Sequence, residues 1–121
     1  MRAVLVSEFG GPEQLRPVRV ADPVAGPGQV RVAVRAAGVN PVDAGNRADG
    51  RWAGLRVPCI LGYDIAGVID GVGPGVTGLA PGDRISHLAQ PQLLRSAELA
   101  DQHRFHKVPS GSSFRQARRY Q

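Results

Sequence analysis

Glycine and proline recur so often along this chain that no long element can run uninterrupted between them. There are sixteen glycines and ten prolines in 121 residues, about a fifth of the total and well above ordinary usage. Glycine ends regular structure through its freedom at positive φ, and proline through its fixed φ and missing N–H. The pattern predicts short strands joined by tight turns in one β-rich domain, since a chain of this length has no room for a second core. Its 42% apolar residues suffice for one packed interior.

The clearest strand is residues 29–37, where Val30, Val32 and Val34 share one face and Arg31 and Arg35 the other. A period of two with the charges outward describes a sheet with one wet face. Residues 2–9 read as a strand that stops at Gly10-Gly11-Pro12, and residues 13–20 as a second, more polar one. Residues 65–69 form a buried strand, Pro81-Gly82-Asp83 leads into another, and residues 97–108 hold one or two more. Between them, Asn40-Pro41-Val42-Asp43 has the form of a helix start. Asn40 stands at the N-cap, Pro41 at the first helical position, and Asp43 where the acid of a capping box sits. A short helix is expected over residues 41–48, ended by Asp49-Gly50. Spacing alone leaves open whether Asn40 and Asp43 only cap this helix or also face a site.

Several function classes are disfavoured. No apolar run approaches the ~18 residues of a membrane span, and Met1-Arg2-Ala3-Val4 enters the strand pattern without a secretory leader. Cys59 is the one cysteine, so no internal disulfide can form and no metal-ligand cluster surrounds it. A cytoplasmic protein is expected. The net charge of +5 is uneven. Residues 91–121 carry five arginines and one lysine against Glu98 and Asp101, whereas the rest is nearly balanced. The tail at residues 115–121, with Tyr120 beside its arginines, is only a thin version of the basic and aromatic surface that binds nucleic acid, and a solvated basic end is expected instead. His87, His103 and His106 have no nucleophile beside them, and strand spacing puts the last two on opposite faces. Gly73-x-Gly75-x-x-Gly78 fits a dinucleotide fingerprint in letters only. Pro74 lacks an amide, and Pro81-Gly82 stops any helix that could hold a pyrophosphate.

The motifs, taken together, carry a resemblance. Glu8-Phe9-Gly10-Gly11-Pro12-Glu13, Pro27-Gly28-Gln29-Val30, the unbroken Ala36-Ala37-Gly38-Val39-Asn40-Pro41-Val42-Asp43, Gly62-Tyr63-Asp64-Ile65-Ala66-Gly67, and Pro81-Gly82-Asp83-Arg84-Ile85 follow one another in order. In this order and spacing they resemble the N-terminal part of the zinc-independent quinone oxidoreductase (zeta-crystallin-like) branch of the medium-chain dehydrogenase/reductase superfamily. The resemblance implies a mainly β, GroES-like, partly open barrel over residues 1–111, with residues 112–121 starting a linker helix. The Rossmann domain that follows in complete members is absent from these 121 residues. It also implies the substrate side of an enzyme that transfers hydride from NADPH to a quinone or conjugated carbonyl. The chain alone is then expected to bind no NADPH and to lack turnover.

Within that resemblance, Asn40 and Asp43 become candidate catalytic residues, with Asn40 also reaching a nicotinamide if a cofactor domain is supplied. Trp52 and Tyr63 become candidate substrate-cleft residues. Asn40 and Tyr63 stand where zinc-dependent relatives carry a cysteine and a histidine ligand, so no zinc is expected. Gly45 replaces a tyrosine common two residues beyond the signature acid, which removes a hydroxyl from the cleft. A Rossmann-domain partner or self-association is implied, and neither nucleic acid nor membrane. The alternative is a stand-alone barrel binding a small molecule or protein, or a remnant without function.

Overall fold

The computed structural model describes residues 1–88, 97–101 and 105–107. The described residues of this turn-rich sequence form two small antiparallel sheets and one short helix. In the first sheet the order is β2-β1-β4, where β1 is Arg2–Val6, β2 Leu15–Arg19 and β4 Cys59–Ile60. The second has the order β7-β3-β5-β6-β8, with β3 Gln29–Ala37, β5 Asp64–Val72, β6 Arg84–Leu88, β7 Ala97–Asp101 and β8 Phe105–Lys107. The helix α1, Pro41–Asp49, follows β3 directly. This is the GroES-like, partly open barrel that the sequence implied.

The second sheet holds the core because β3 and β5 both alternate toward the same interior. Val30, Val32, Ile65, Ile69 and Ile85 are all but fully buried and form one cluster. Val34 and Val72, partly buried, pack against it. The β3–β5 ladder pairs Val30 with Val72 and Ala37 with Ile65, with irregularities after Arg31 and Val34 that bend the sheet. On the outer side Arg31 pairs with Asp70 at 2.7 Å. Gly67 lies beside the irregularity after Val34, where the neighbouring strand crowds it: a Cβ there would meet the Ala33 carbonyl oxygen at 2.4 Å.

Local structure departs from the sequence reading at the ends of elements. Residues 12–14 form a 3-10 turn, so the second strand starts at Leu15. The buried strand expected over residues 65–69 runs from Asp64 to Val72, carried through Asp70-Gly71 by its ladder with β3. Residues 51–59 contain the end of a 3-10 turn, Gly50–Ala53, and the first residue of β4. The expected linker helix, residues 112–121, lies outside the described residues.

The glycine fingerprint is a turn. Gly75 has φ +78° and Gly78 φ +75°, left-handed values that suit reversals. The Gly73 amide donates to the Gln29 carbonyl at 2.8 Å, and the Pro74 carbonyl accepts from Gly28 at 2.8 Å. The loop's polar groups thus close on their own neighbours.

Candidate functional site

The antiparallel pairing of β3 with β5 brings Asn40 to the start of β5. Gly38 continues the ladder by donating its amide to the Asp64 carbonyl at 2.8 Å, so residue 40 arrives beside the Asp64 side chain. There the Asn40 Nδ2 donates to Asp64 Oδ2 at 2.9 Å. Asp64 is 7% exposed, and a carboxylate taken that far from water needs such donors.

The helix start fixes the backbone of the same residue. Asn40 is extended (φ −117°, ψ 158°), Pro41 begins the helix, and Asp43 Oδ2 accepts the Asn40 N–H at 2.7 Å. Asn40 is therefore held at two points, its main chain by Asp43 and its amide by Asp64. The Asp43 Oδ1 atom is buried and makes no hydrogen bond among the described residues.

Tyr63 is half-buried, and its hydroxyl oxygen accepts a hydrogen bond from Asn46 Nδ2 at 2.8 Å. Asn46 is fully buried, and its Oδ1 finds no partner among the described residues. The pair joins α1 to the segment before β5. Arg47, the next residue, donates its guanidinium to the Gly10 carbonyl, while the Gly10 amide returns a bond to the Arg47 carbonyl at 2.9 Å. This double link secures the helix to the turn after β1.

The structure thus brings Asn40 and Asp43 together and places Tyr63 next to Asp64 at the head of β5. Trp52 lies elsewhere, in the 3-10 turn after α1, and is 68% exposed. Sequence reasoning gave no site role to Asp64 or Asn46. Asp64 carried a usable signal, a lone acid opening a run of buried apolar residues. Asn46 carried a weaker one, an asparagine inside a helix, where its own backbone preferences disfavour it. Cys59 sits on β4, and burial raises its thiol pKa above the usual 9.0. Among the described residues no three His, Cys, Asp or Glu side chains converge as metal ligands would.

Beside the cap an open groove of about 700 Å³ runs between the β1–β2 pair and the β3–α1 junction. Its lining is mainly apolar, with Val4, Leu15, Val34, Val39 and Leu61 prominent, and Asp43 stands in its wall.

Residues 26–112 match the alcohol dehydrogenase GroES-like domain, and the chain belongs to that family. Within it, the chain falls in the quinone oxidoreductase branch. Human quinone oxidoreductase is 38% identical over 120 residues, which are 96% of this chain and 36% of that protein. The crystal structure of Escherichia coli quinone oxidoreductase complexed with NADPH superposes with a TM-score of 0.86 at 26% identity, covering 97% of this chain and 36% of the other. That of the human synaptic vesicle membrane protein VAT-1 homolog-like protein reaches 0.92 at 28% identity, covering 97% and 38%. The chain spans little more than a third of the length of these proteins.

Proposed function

We propose that residues 1–111 form the substrate-side domain of an NADPH-dependent reductase of quinones or conjugated carbonyls, and that residues 112–121 begin the link to a cofactor domain. The observation that carries this reading is the two-point fixation of Asn40. A hydrogen-bond donor stabilises a developing oxyanion most when its position is set before the substrate arrives, because no reorganisation is then needed during reaction. Asp43 fixes the Asn40 backbone, and the bond to Asp64 fixes the plane of its amide. In this reading the Asn40 amide orients the acceptor carbonyl and takes up charge as an enolate-like oxygen forms. Tyr63, steadied by Asn46, borders the acceptor. Trp52, exposed in the 3-10 turn after α1, stays a further candidate cleft residue in this reading.

The described residues do not suit NADPH on their own. The glycine turn at residues 73–78 spends its amide and carbonyl on residues 28 and 29, and no helix starts there to hold a pyrophosphate. In this reading the nicotinamide that supplies the hydride sits on a cofactor domain, which the described residues do not contain.

Complementation tests the reading. Titration of the chain with NADPH, followed by nicotinamide fluorescence, is expected to show no saturable binding at micromolar concentrations. Addition of the Rossmann half of a related quinone oxidoreductase should produce NADPH-dependent quinone reduction above the uncatalysed rate. Asn40→Ala should lower that rate by roughly ten- to a thousandfold, the range for losing one positioned donor. Recovered turnover indifferent to Asn40→Ala would remove the site.

A further inference from the structure

We infer that the groove between the β1–β2 pair and the β3–α1 junction binds a small amphipathic anion, an apolar body bearing one carboxylate or phosphate, independently of any reductase activity. Three observations point to it. First, the groove's volume of about 700 Å³ lies inside the range of about 300–1,000 Å³ typical of small-molecule sites. Second, its floor leaves large apolar side chains in water: Val4 is 48% exposed, Leu15 41% and Val39 86%. Such surface is stabilised by an apolar occupant.

The third observation is charge. Arg2 and Arg47 line the groove, and Arg19 stands directly opposite Arg2 in the β1–β2 register. Residues directly opposite in an antiparallel pair project to the same face, and like charges there destabilise the pair. Among the described residues no carboxylate forms an ion pair with any of the three arginines. Asp43 also lines the groove, but its Oδ2 is engaged by the Asn40 N–H. An anion placed between Arg2 and Arg19 relieves their repulsion while its body covers Val4 and Leu15.

Charge also selects among occupants. Residues 111–121 of the same chain carry three arginines and no acid, so their charge does not complement the arginine rim. A second copy carries the same net +5. An anionic small molecule meets neither objection.

The test is calorimetric titration of the chain with decanoate below its micelle concentration, beside decyl phosphate and the neutral 1-decanol. Decanoate is expected to bind one to one and more tightly than decanol, with the preference shrinking as salt rises. In the doubly substituted Arg2→Gln, Arg19→Gln chain, decanoate should weaken by about three- to tenfold, the sum of two exposed charge contacts, with decanol unchanged. Because the substitution removes a repulsive pair, thermal stability should hold or rise, which separates lost binding from lost fold. Leu15→Glu should abolish binding of both decanoate and decanol. Stronger binding of decyl phosphate than decanoate identifies a phosphate as the preferred head group, and the reverse a carboxylate. Equal affinity for decanoate and decanol, retention of the preference in the double variant, or no saturable binding would overturn the inference. None of these outcomes depends on NADPH or on turnover, so they stand apart from the complementation result.

Discussion

Asn40 shows how a few local contacts can prepare a residue for more than one task. Its capping role was legible because the cap, Pro41 and Asp43 are sequence neighbours whose spacing alone implies the geometry. Removing the acid by Asp43→Ala should destabilise the chain by about 0.5–2 kcal/mol, the range for losing a helix cap. Asp43→Glu, which restores the usual capping-box acid, should lose less, as urea unfolding would measure. Equal losses would mean that the carboxylate does not act as a cap. Asp64 and Asn46 each carried a local signal, but their partners were not legible, because Asn40 meets Asp64 across 24 positions and Asn46 meets Tyr63 across 17. No local pattern encodes such contacts. Cys59 yields a separate expectation from its environment. Burial disfavours the thiolate and so raises the folded pKa above 9.0. The sign follows: this contribution to stability is fully present below pH 9.0, the unfolded value, and is lost as pH rises through the folded value. The same shift keeps the group a thiol, so iodoacetamide at pH 8.5 should alkylate Cys59 more slowly in the folded chain than in urea. Equal rates in the two conditions would contradict the raised pKa.

At the scale of elements, alternation made β3 readable from sequence, and the structure buries Val30 and Val32 as that alternation requires. The far end of β5 was not readable. Asp70-Gly71 looks like a stop, yet the ladder to Arg31 and Val30 carries the strand through it, a case of tertiary pairing overriding local propensity. Likewise β4 is two residues long and exists only because β1 offers it an edge, with Leu5 opposite Ile60. The glycine within β5 has a different basis. An interior glycine weakens a strand unless another backbone comes close, and Gly67 is such a place. Its hypothetical Cβ meets main-chain oxygen rather than a movable side chain, so the sheet cannot yield cheaply. Gly67→Ala should therefore destabilise the chain by about 1–3 kcal/mol, as overpacking does. The control is Gly45→Ala in α1, where a Cβ meets nothing within 4 Å and alanine gains about 1 kcal/mol in helix propensity. Opposite signs for the two alanines in thermal unfolding would support the close approach, and a neutral Gly67→Ala would refute it.

At the scale of the whole molecule, two features of the surface act against each other. The groove and the exposed Val4, Leu15 and Val39 favour burial against another surface, since apolar area removed from water is stabilising at about 25 cal/mol per Å². The net charge of +5, with Arg2 and Arg19 facing each other at the groove, opposes the approach of an identical molecule. Which effect wins depends on ionic strength. At 0.01 M salt the Debye length is about 30 Å and the charges of two chains repel well before contact, whereas at 1 M it is about 3 Å and the repulsion is screened. The apolar attraction is not weakened by salt in this way. The chain is therefore expected to remain monomeric in light scattering at low salt and to form dimers or larger species as salt rises. Leu15→Glu should suppress the association at every ionic strength, because it puts a charge in the middle of the apolar floor. Decanoate should also suppress it, by covering the same residues and competing for the groove. Association that weakens with salt, or that persists unchanged in Leu15→Glu, would place the self-contact on another face and leave the groove out of it.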